Sequence, residues 1–139
     1  MDIRVELTPH PIPLARPLPK ELTGTAGAIA EFQGIVRAQE AGREIGALEY
    51  EAYSAMAEPM IRRICQELAA GGDCQFVSVT HRIGVVSVGE AAIHVVVASR
   101  HRAAAFALLT GFMDRLKQDV PIWKARALDT AGRPIAPAP

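Results

Sequence analysis

Apolar and polar residues alternate twice in the first part of the chain. In GAIAEFQGIVR, residues 27–37, Ala28, Ala30, Phe32 and Val36 keep the period of two that a half-buried strand requires. In ALEYEAY, 47–53, Leu48 and Tyr50 share one face, and Glu49, Glu51 and Tyr53 the other. Between them AQEAGREIG is polar and glycine-punctuated, and reads as a mobile loop. The period then lengthens. In AEPMIRRICQELAAGG, 57–72, Ile61, Ile64, Cys65 and Leu68 form a helical stripe. Pro59 suits its first turn and Gly71-Gly72 stop it. FVSVTHRIG, 76–84, reads as a strand, and VGEAAIHVVVAS, 88–99, as a hairpin return into a buried strand. A second helix runs from Arg102 to about Val120, with Ala105, Phe106, Leu109, Phe112, Met113 and Leu116 at helical spacing and Pro121 closing it.

The order strand, strand, helix, strand, strand, helix predicts an α+β domain: two main helices on a mixed, mostly antiparallel sheet. The chain's 139 residues fit one domain. We divide it into a Pro-rich N-terminal segment, 1–23, a main domain, 24–126, and a loose tail, 127–139. PHPIPLARPLPK, residues 9–20, holds five prolines and is expected to be extended or irregular. Half the residues are hydrophobic, so a core forms without staples. Lys plus Arg and Asp plus Glu number 15 each, so no bulk field draws the chain to nucleic acid or to an anionic membrane. No apolar run is long enough to span a bilayer, and MDIRVELTPH lacks a signal-peptide core, so the expected compartment is the cytoplasm. The two cysteines, Cys65 and Cys74, form no CxxC, and no histidine pair has HExxH spacing, so neither a disulfide nor a metal is expected. Without GxGxxG or a Walker loop, no standard nucleotide site is indicated.

SRHRAAAF carries the most chemistry. Ser99, Arg100, His101 and Arg102 stand where a buried strand meets a helix start, whose free N–H groups attract anions. A phosphate or carboxylate site and a solvated helix cap both fit this pattern. Lys117, on the second helix's last turn, fits a routine helix-end cation as well as a functional one. Lys124 follows Trp123, whose ring can cover the lysine stem, and Arg126 gives it a cationic neighbour. A helix of about 16 residues is ~24 Å long, so Lys117 and His101 lie at opposite ends of it. A site shared between them needs another chain or a folded-back segment. Arg37 ends a strand in which Gly34 permits close approach. His81-Arg82 reads as an edge or strand-end pair, and His94 as a satisfied core histidine. Cys65 is assigned to packing, and Cys74 to a surface position beside Asp73, which would raise its pKa.

FQGIVR, LEYEAYSAMAEPMI, VTHRIGVVSVGE, SRHRAAAF and MDRLKQDVPIWK, taken together and in this order over residues 24–124, resemble the molybdopterin synthase catalytic subunit family, MoaE. The resemblance implies an α/β-hammerhead-like domain. It implies a homodimer in which each copy binds a small ubiquitin-like sulfur carrier, giving a heterotetramer. That carrier's C-terminal Gly-Gly thiocarboxylate would give sulfur to cyclic pyranopterin monophosphate, forming the molybdopterin dithiolene. No cofactor and no metal are implied for this step. Lys117 and Lys124 map to the catalytic lysines, and Ile35, Val36, Arg37, His101, Arg102, Ala125 and Arg126 to substrate-binding positions, drawn from both protomers. The family pattern has an acid two residues after the second lysine, where this chain has Arg126. That departure motivates a second reading, a non-catalytic binding module of the same fold that keeps the small-subunit groove. An unrelated acyl- or phosphoryl-handling enzyme is a third.

Overall fold

In a computed structural model describing residues 1–13 and 18–136, the chain folds as an α+β domain of nine strands, two α-helices and one short 3-10 turn among the described residues. The centre is a four-stranded sheet in the order β1-β6-β8-β2, formed by β1 (Asp2–Thr8), β6 (Cys74–Arg82), β8 (Ala91–Ser99) and β2 (Ala28–Ile35). The β1–β6 pair is parallel and the other two are antiparallel, so the expected mixed sheet is found. β8 (AAIHVVVAS) is buried throughout, as a strand with two neighbours and two covered faces must be.

Helices α1 (Ser54–Leu68) and α2 (Arg102–Asp119) pack on one face. Ile61, Ile64 and Cys65 of α1 and Ala105, Leu108, Phe112 and Leu116 of α2 meet Val77, Val79, Val95 and Val97 of the sheet. α1 begins three residues before the expected start, so Pro59 falls in the second turn, where the missing N–H costs one bond near an end that already has unpaired donors. On α2 the expected stripe is rotated. Leu108 is fully buried, whereas Phe106 is 60% exposed.

A three-stranded antiparallel sheet, β7-β5-β9, completes the domain with β7 (Gly84–Ser87), β5 (Ala47–Ala52) and β9 (Ile122–Leu128). Val36, Ile45, Leu48, Val86 and Ala92 form its own small core. The polar loop expected between the first two strands contains a short hairpin, β3 (Gln39–Glu40) and β4 (Arg43–Glu44). Ala41 and Gly42 turn it with φ of 51° and 77°, the left-handed pair of a tight hairpin turn.

Beyond the β3–β4 hairpin, three strands were not among those expected: β7, which falls between the runs 76–84 and 88–99, β1 and β9. β1 lies within the N-terminal segment 1–23, although Ile3, Val5 and Leu7 alternate with Arg4 and Glu6. β9 contains the WKAR run and shows almost no alternation, because four successive residues, 123–126, are exposed on an edge strand. Part of the segment expected to be loose, 127–139, turns back on β9: Ile135 N–H donates to the Ala127 carbonyl at 2.9 Å and its side chain packs on the small core. Residues 14–17 of the Pro-rich stretch and the last three of the tail lie outside the described residues.

Candidate functional site

The two sets of cations lie at opposite ends of α2. At its C-terminal end a cleft of about 440 Å³ opens between the two sheets. Lys117 enters from the last turn of α2 and Lys124 from β9, while Tyr50, His81 and Trp123 supply aromatic walls and Ile35 part of the rim. The lysines, seven positions apart in sequence, converge because the chain reverses at Pro121 and β9 pairs back onto β5. Lys117 is exposed, and among the described residues it makes no hydrogen bond or ion pair. Lys124 Nζ donates to Glu40 Oε1 at 3.0 Å, across from the β3–β4 hairpin. Trp123, expected to cover the Lys124 stem, is 46% exposed on the same cleft.

A bulge decides what surrounds Lys124. Glu49 pairs with Arg126 and Tyr50 with Lys124, so Ala125 is the extra, unpaired residue. Directly opposed residues of an antiparallel pair share a face, and Glu49 and Tyr50 are on opposite faces. Lys124 therefore turns to the Tyr50 side, and Arg126 to the Glu49 side, where its Nε donates to Glu49 Oε2 at 2.6 Å. This corrects the expectation that Arg126 is a cationic neighbour of Lys124: the charge that Lys124 meets is a carboxylate, Glu40. Neither Ala125 nor Arg126 lines the cleft.

His81 in the cleft wall and its neighbour Arg82 have surroundings that the sequence did not reveal. Read as an edge or strand-end pair, they are the last two residues of β6, and both are buried at 5% exposure. His81 lies edge-on to Tyr50 with ring centroids 5.2 Å apart, and burial lowers its pKa against the opposing effect of its bond to the Arg82 carbonyl. Arg82 Nη2 donates to the Val85 carbonyl at 3.0 Å, and Nη1 lies 3.5 Å from Glu90, tying two turns together. Tyr50 is pushed up, chiefly by burial; nearby Lys124 opposes that shift and Glu40 adds to it. The signal for Tyr50 was its place beside Leu48 on the inward face of β5. Nothing local distinguished Glu40 from the rest of its polar loop.

The N-terminal end of α2 is open. Gly27, Arg100, His101, Arg102 and Ala103 line a shallow hollow, and the 101–103 side chains are exposed. Gly27 is required there, since a Cβ would collide with the Arg100 carbonyl. Asp73 accepts from the His101 backbone N–H at 3.0 Å, and the Ser99 hydroxyl donates to the His101 carbonyl. Arg37 is exposed beyond the end of β2 and lines neither hollow nor cleft. Val36 is buried in the small core, its N–H donated to Glu90 and its carbonyl taken by Gly89, each at 3.0 Å or less. An α2 of 18 residues is ~27 Å long. One chain therefore brings Ile35, Lys117 and Lys124 together, and His101 with Arg102, but not the two groups with each other.

His94 is buried with Nε2 2.6 Å from Glu31, as expected of a satisfied histidine. Cys65 is buried in the main core as expected, whereas Cys74, assigned to the surface, is buried too. Among the described residues no group of three or more His, Cys, Asp or Glu is placed to hold a metal ion, and no helix is long and apolar enough to cross a membrane.

Residues 7–119 match the model of the family described as MoaE protein. The molybdopterin synthase catalytic subunit of Bacillus subtilis (strain 168) is 41% identical over 121 residues, covering 87% of this chain and 77% of that protein. The human protein of the same name is 43% identical over 98 residues, 70% of this chain, but this chain spans only about half (52%) of its length. Among solved structures, molybdopterin synthase from Staphylococcus aureus superposes with a TM-score of 0.75 at 31% identity, covering 88% of this chain and 89% of that one. A protein–protein complex of subunits 1 and 2 of molybdopterin-converting factor from Helicobacter pylori 26695 gives 0.72 at 22% identity, a likeness of fold.

Proposed function

The chain belongs to the MoaE family, which places it in molybdenum cofactor biosynthesis, and on that premise we propose that it is the sulfur-transferring subunit of a molybdopterin synthase working in the cytoplasm. The observation that carries this reading is the convergence of Lys117 and Lys124 in one aromatic-walled cleft. Two helix-end or strand-edge lysines serving only solubility have no reason to face each other across a concave surface. Here they form a local positive field suited to a slender anionic tail, the Gly-Gly thiocarboxylate of a small ubiquitin-like subunit.

In this reading the tail enters the cleft and its sulfur attacks the pterin carbon of cyclic pyranopterin monophosphate. A carbon–sulfur bond forms as the ring oxygen leaves, and a lysine ammonium donates the proton that oxygen takes up. Water then cleaves the resulting thioester, releasing the tail as a carboxylate. In the second round sulfur adds at the neighbouring carbonyl-level carbon, whose oxygen is protonated and leaves as water, and the two carbon–sulfur bonds make the dithiolene. The precursor's phosphate is held by His101, Arg102 and Arg37, with Ile35, Val36, Ala125 and Arg126 as further substrate positions. Because the phosphate-binding end of α2 is ~27 Å from the lysines of the same chain, it must come from a second copy. The proposed assembly is a homodimer carrying two small subunits.

The non-catalytic reading, prompted by Arg126 replacing an acid, loses its motive. Arg126 is neutralised by Glu49 outside the cleft, and Lys124 finds its carboxylate in Glu40. The test is reconstitution of the purified chain with a thiocarboxylated small subunit and the precursor. Mass spectrometry should show the small subunit losing sulfur for oxygen as dithiolene forms. A dimeric chain that binds the small subunit and leaves its thiocarboxylate intact with precursor present would overturn the proposal.

A further inference from the structure

Beside the hollow at the N-terminal end of α2 stands a carboxylate that the proposed function does not use. Asp73 is the one residue between the Gly71-Gly72 stop and β6, and the pairing of Cys74 with Ser99 sets it beside the turn that enters α2. It grips that turn at three points. Its carbonyl accepts from Arg100 N–H at 3.1 Å, Oδ2 accepts from the His101 backbone N–H at 3.0 Å, and Oδ1 lies 3.3 Å from His101 Nδ1. On the other side, the fully buried Ser99 hydroxyl donates to the His101 carbonyl. The Ser99 carbonyl in turn accepts from Gly27 N–H at 2.9 Å. The His101 backbone is thus fixed from both sides. What remains free is the rotation of the ring and the choice of nitrogen that carries the hydrogen.

Oδ1 settles both. An ionised carboxylate only accepts, so the nitrogen facing it carries the hydrogen. The imidazole meets Asp73 through Nδ1–H, which leaves Nε2 unengaged on a residue that lines the hollow with Arg100 and Arg102. The ring is 82% exposed, so no packing competes with Asp73 for its orientation. With Nδ1 committed, Nε2 is the one ring atom left for a ligand, as a donor in the imidazolium form.

We propose that Asp73 is a positioning residue for His101: by accepting from Nδ1–H it holds the ring so that, in the imidazolium form, Nε2–H donates to the substrate's phosphate. This rests on the reading of His101 as a phosphate contact. A plain helix cap would need the backbone contact alone, and the ring contact separates the two ideas. Asp73→Asn is the discriminating change. Its amide oxygen still accepts from the His101 backbone N–H, but its NH₂ then faces Nδ1, which must become the acceptor: Nε2 keeps a hydrogen, the ring is neutral, and the contact to phosphate loses its charge assistance.

The experiment uses the full chain with ¹⁵N-labelled histidine, observed where the imidazole is neutral, and then the reconstituted synthase. The native chain should show His101 as the Nδ1–H form, and Asp73→Asn as the Nε2–H form. KM for the precursor should rise roughly three- to tenfold in Asp73→Asn with kcat changed less than about twofold, the signature of lost binding rather than lost chemistry. Asp73→Ser, which caps the helix through a hydroxyl and frees the ring, should raise KM similarly, and Asp73→Glu should restore part of the loss. On a His101→Ala background, Asp73→Asn should add nothing. If His101→Ala raises KM and a folded Asp73→Asn does not, Asp73 is only a cap and the proposal fails alone. If His101→Ala leaves KM unchanged, the phosphate reading fails and takes the proposal with it.

Discussion

The two ends of α2 solve the same problem, presenting cations to an anion, in opposite ways. At the C-terminal end, side chains from β5, β6, α2 and β9 converge in a walled cleft, and each cation is placed by tertiary structure. At the N-terminal end, one contiguous run, Arg100 to Arg102, sits on an open shelf made by backbone geometry. A concave site with aromatic walls strengthens the charges that converge in it, which suits bond making. An open shelf with helix N–H groups and arginines suits capture of a phosphate. Under the proposed function, the difference makes the chain half of a site twice over, with a reaction chamber at one end and a substrate clamp at the other.

The sharpest way to break this comparison is to remove the chamber's cations. Lys117→Ala and Lys124→Ala should each lower turnover by ~10²-fold or more, the scale of a lost general acid–base group, with thermal stability and dimerisation little changed. Arginine should rescue poorly, because it cannot release a proton at working pH. A double variant that folds, binds both partners and turns over normally would leave the cleft without a catalytic role.

The shelf should respond differently. Arg102→Ala should weaken precursor binding ~10-fold or more, since a charge-assisted contact to an anion contributes roughly 1.5–3 kcal/mol. Small-subunit binding should be untouched. Calorimetry showing unchanged precursor affinity would move the phosphate elsewhere.

That contrast also governs what was legible in the sequence. The shelf was visible as SRHRAAAF because a strand-to-helix junction is local, and both helices and the strands β2, β5, β6 and β8 followed from periodicity. The cleft was not visible. Nothing near Glu40 in sequence indicates that it meets Lys124, 84 positions away. Nothing in WKAR reveals a bulge at Ala125, because the register shift arises in the partner strand's pairing. An edge strand with little burial carries no alternation, which hid β9. β1 was missed, although Ile3, Val5 and Leu7 on its inward face keep the period of two. His81 and Arg82 do end a strand, but their burial was not legible, because burial of a charged residue depends on partners such as Glu90 that only folding supplies.

A smaller effect tests the enclosure of the cleft itself. Burial lowers the His81 pKa, so between its folded value and its ordinary value near 6.5 the unfolded chain holds a proton that the folded chain does not. Stability from this group is therefore full above the ordinary value and falls as pH drops through it toward the folded value. His81→Phe keeps an aromatic ring against Tyr50 and should flatten that acid slope in denaturation curves collected below about pH 6.5, by less than one proton per chain. An unchanged slope would mean that His81 is solvated and the cleft more open than its walls suggest.

The smallest expected effect concerns the thiols, and it separates a chamber that receives sulfur from one that supplies it. A thiolate, not a thiol, is the competent nucleophile. Cys65 is fully buried in the main core, and burial pushes its thiol up to about 12, against a weak opposing pull from Arg62. Cys74 is buried between the end of β6 and α2, with Sγ 3.7 Å from the Ala104 carbonyl, and both burial and the Asp73 charge raise its pKa. Neither lines the cleft that holds the lysines. Replacing both with alanine should leave sulfur transfer within about twofold of the native rate, while the lost packing lowers stability by about 1 kcal/mol, a usual size for a point change. Below pH 8 the native fold should also resist a thiol-alkylating probe that labels the unfolded chain readily. If the double variant folds, binds the small subunit and no longer transfers sulfur, the sulfur passes through this chain, and the lysine cleft is a relay rather than a receiver.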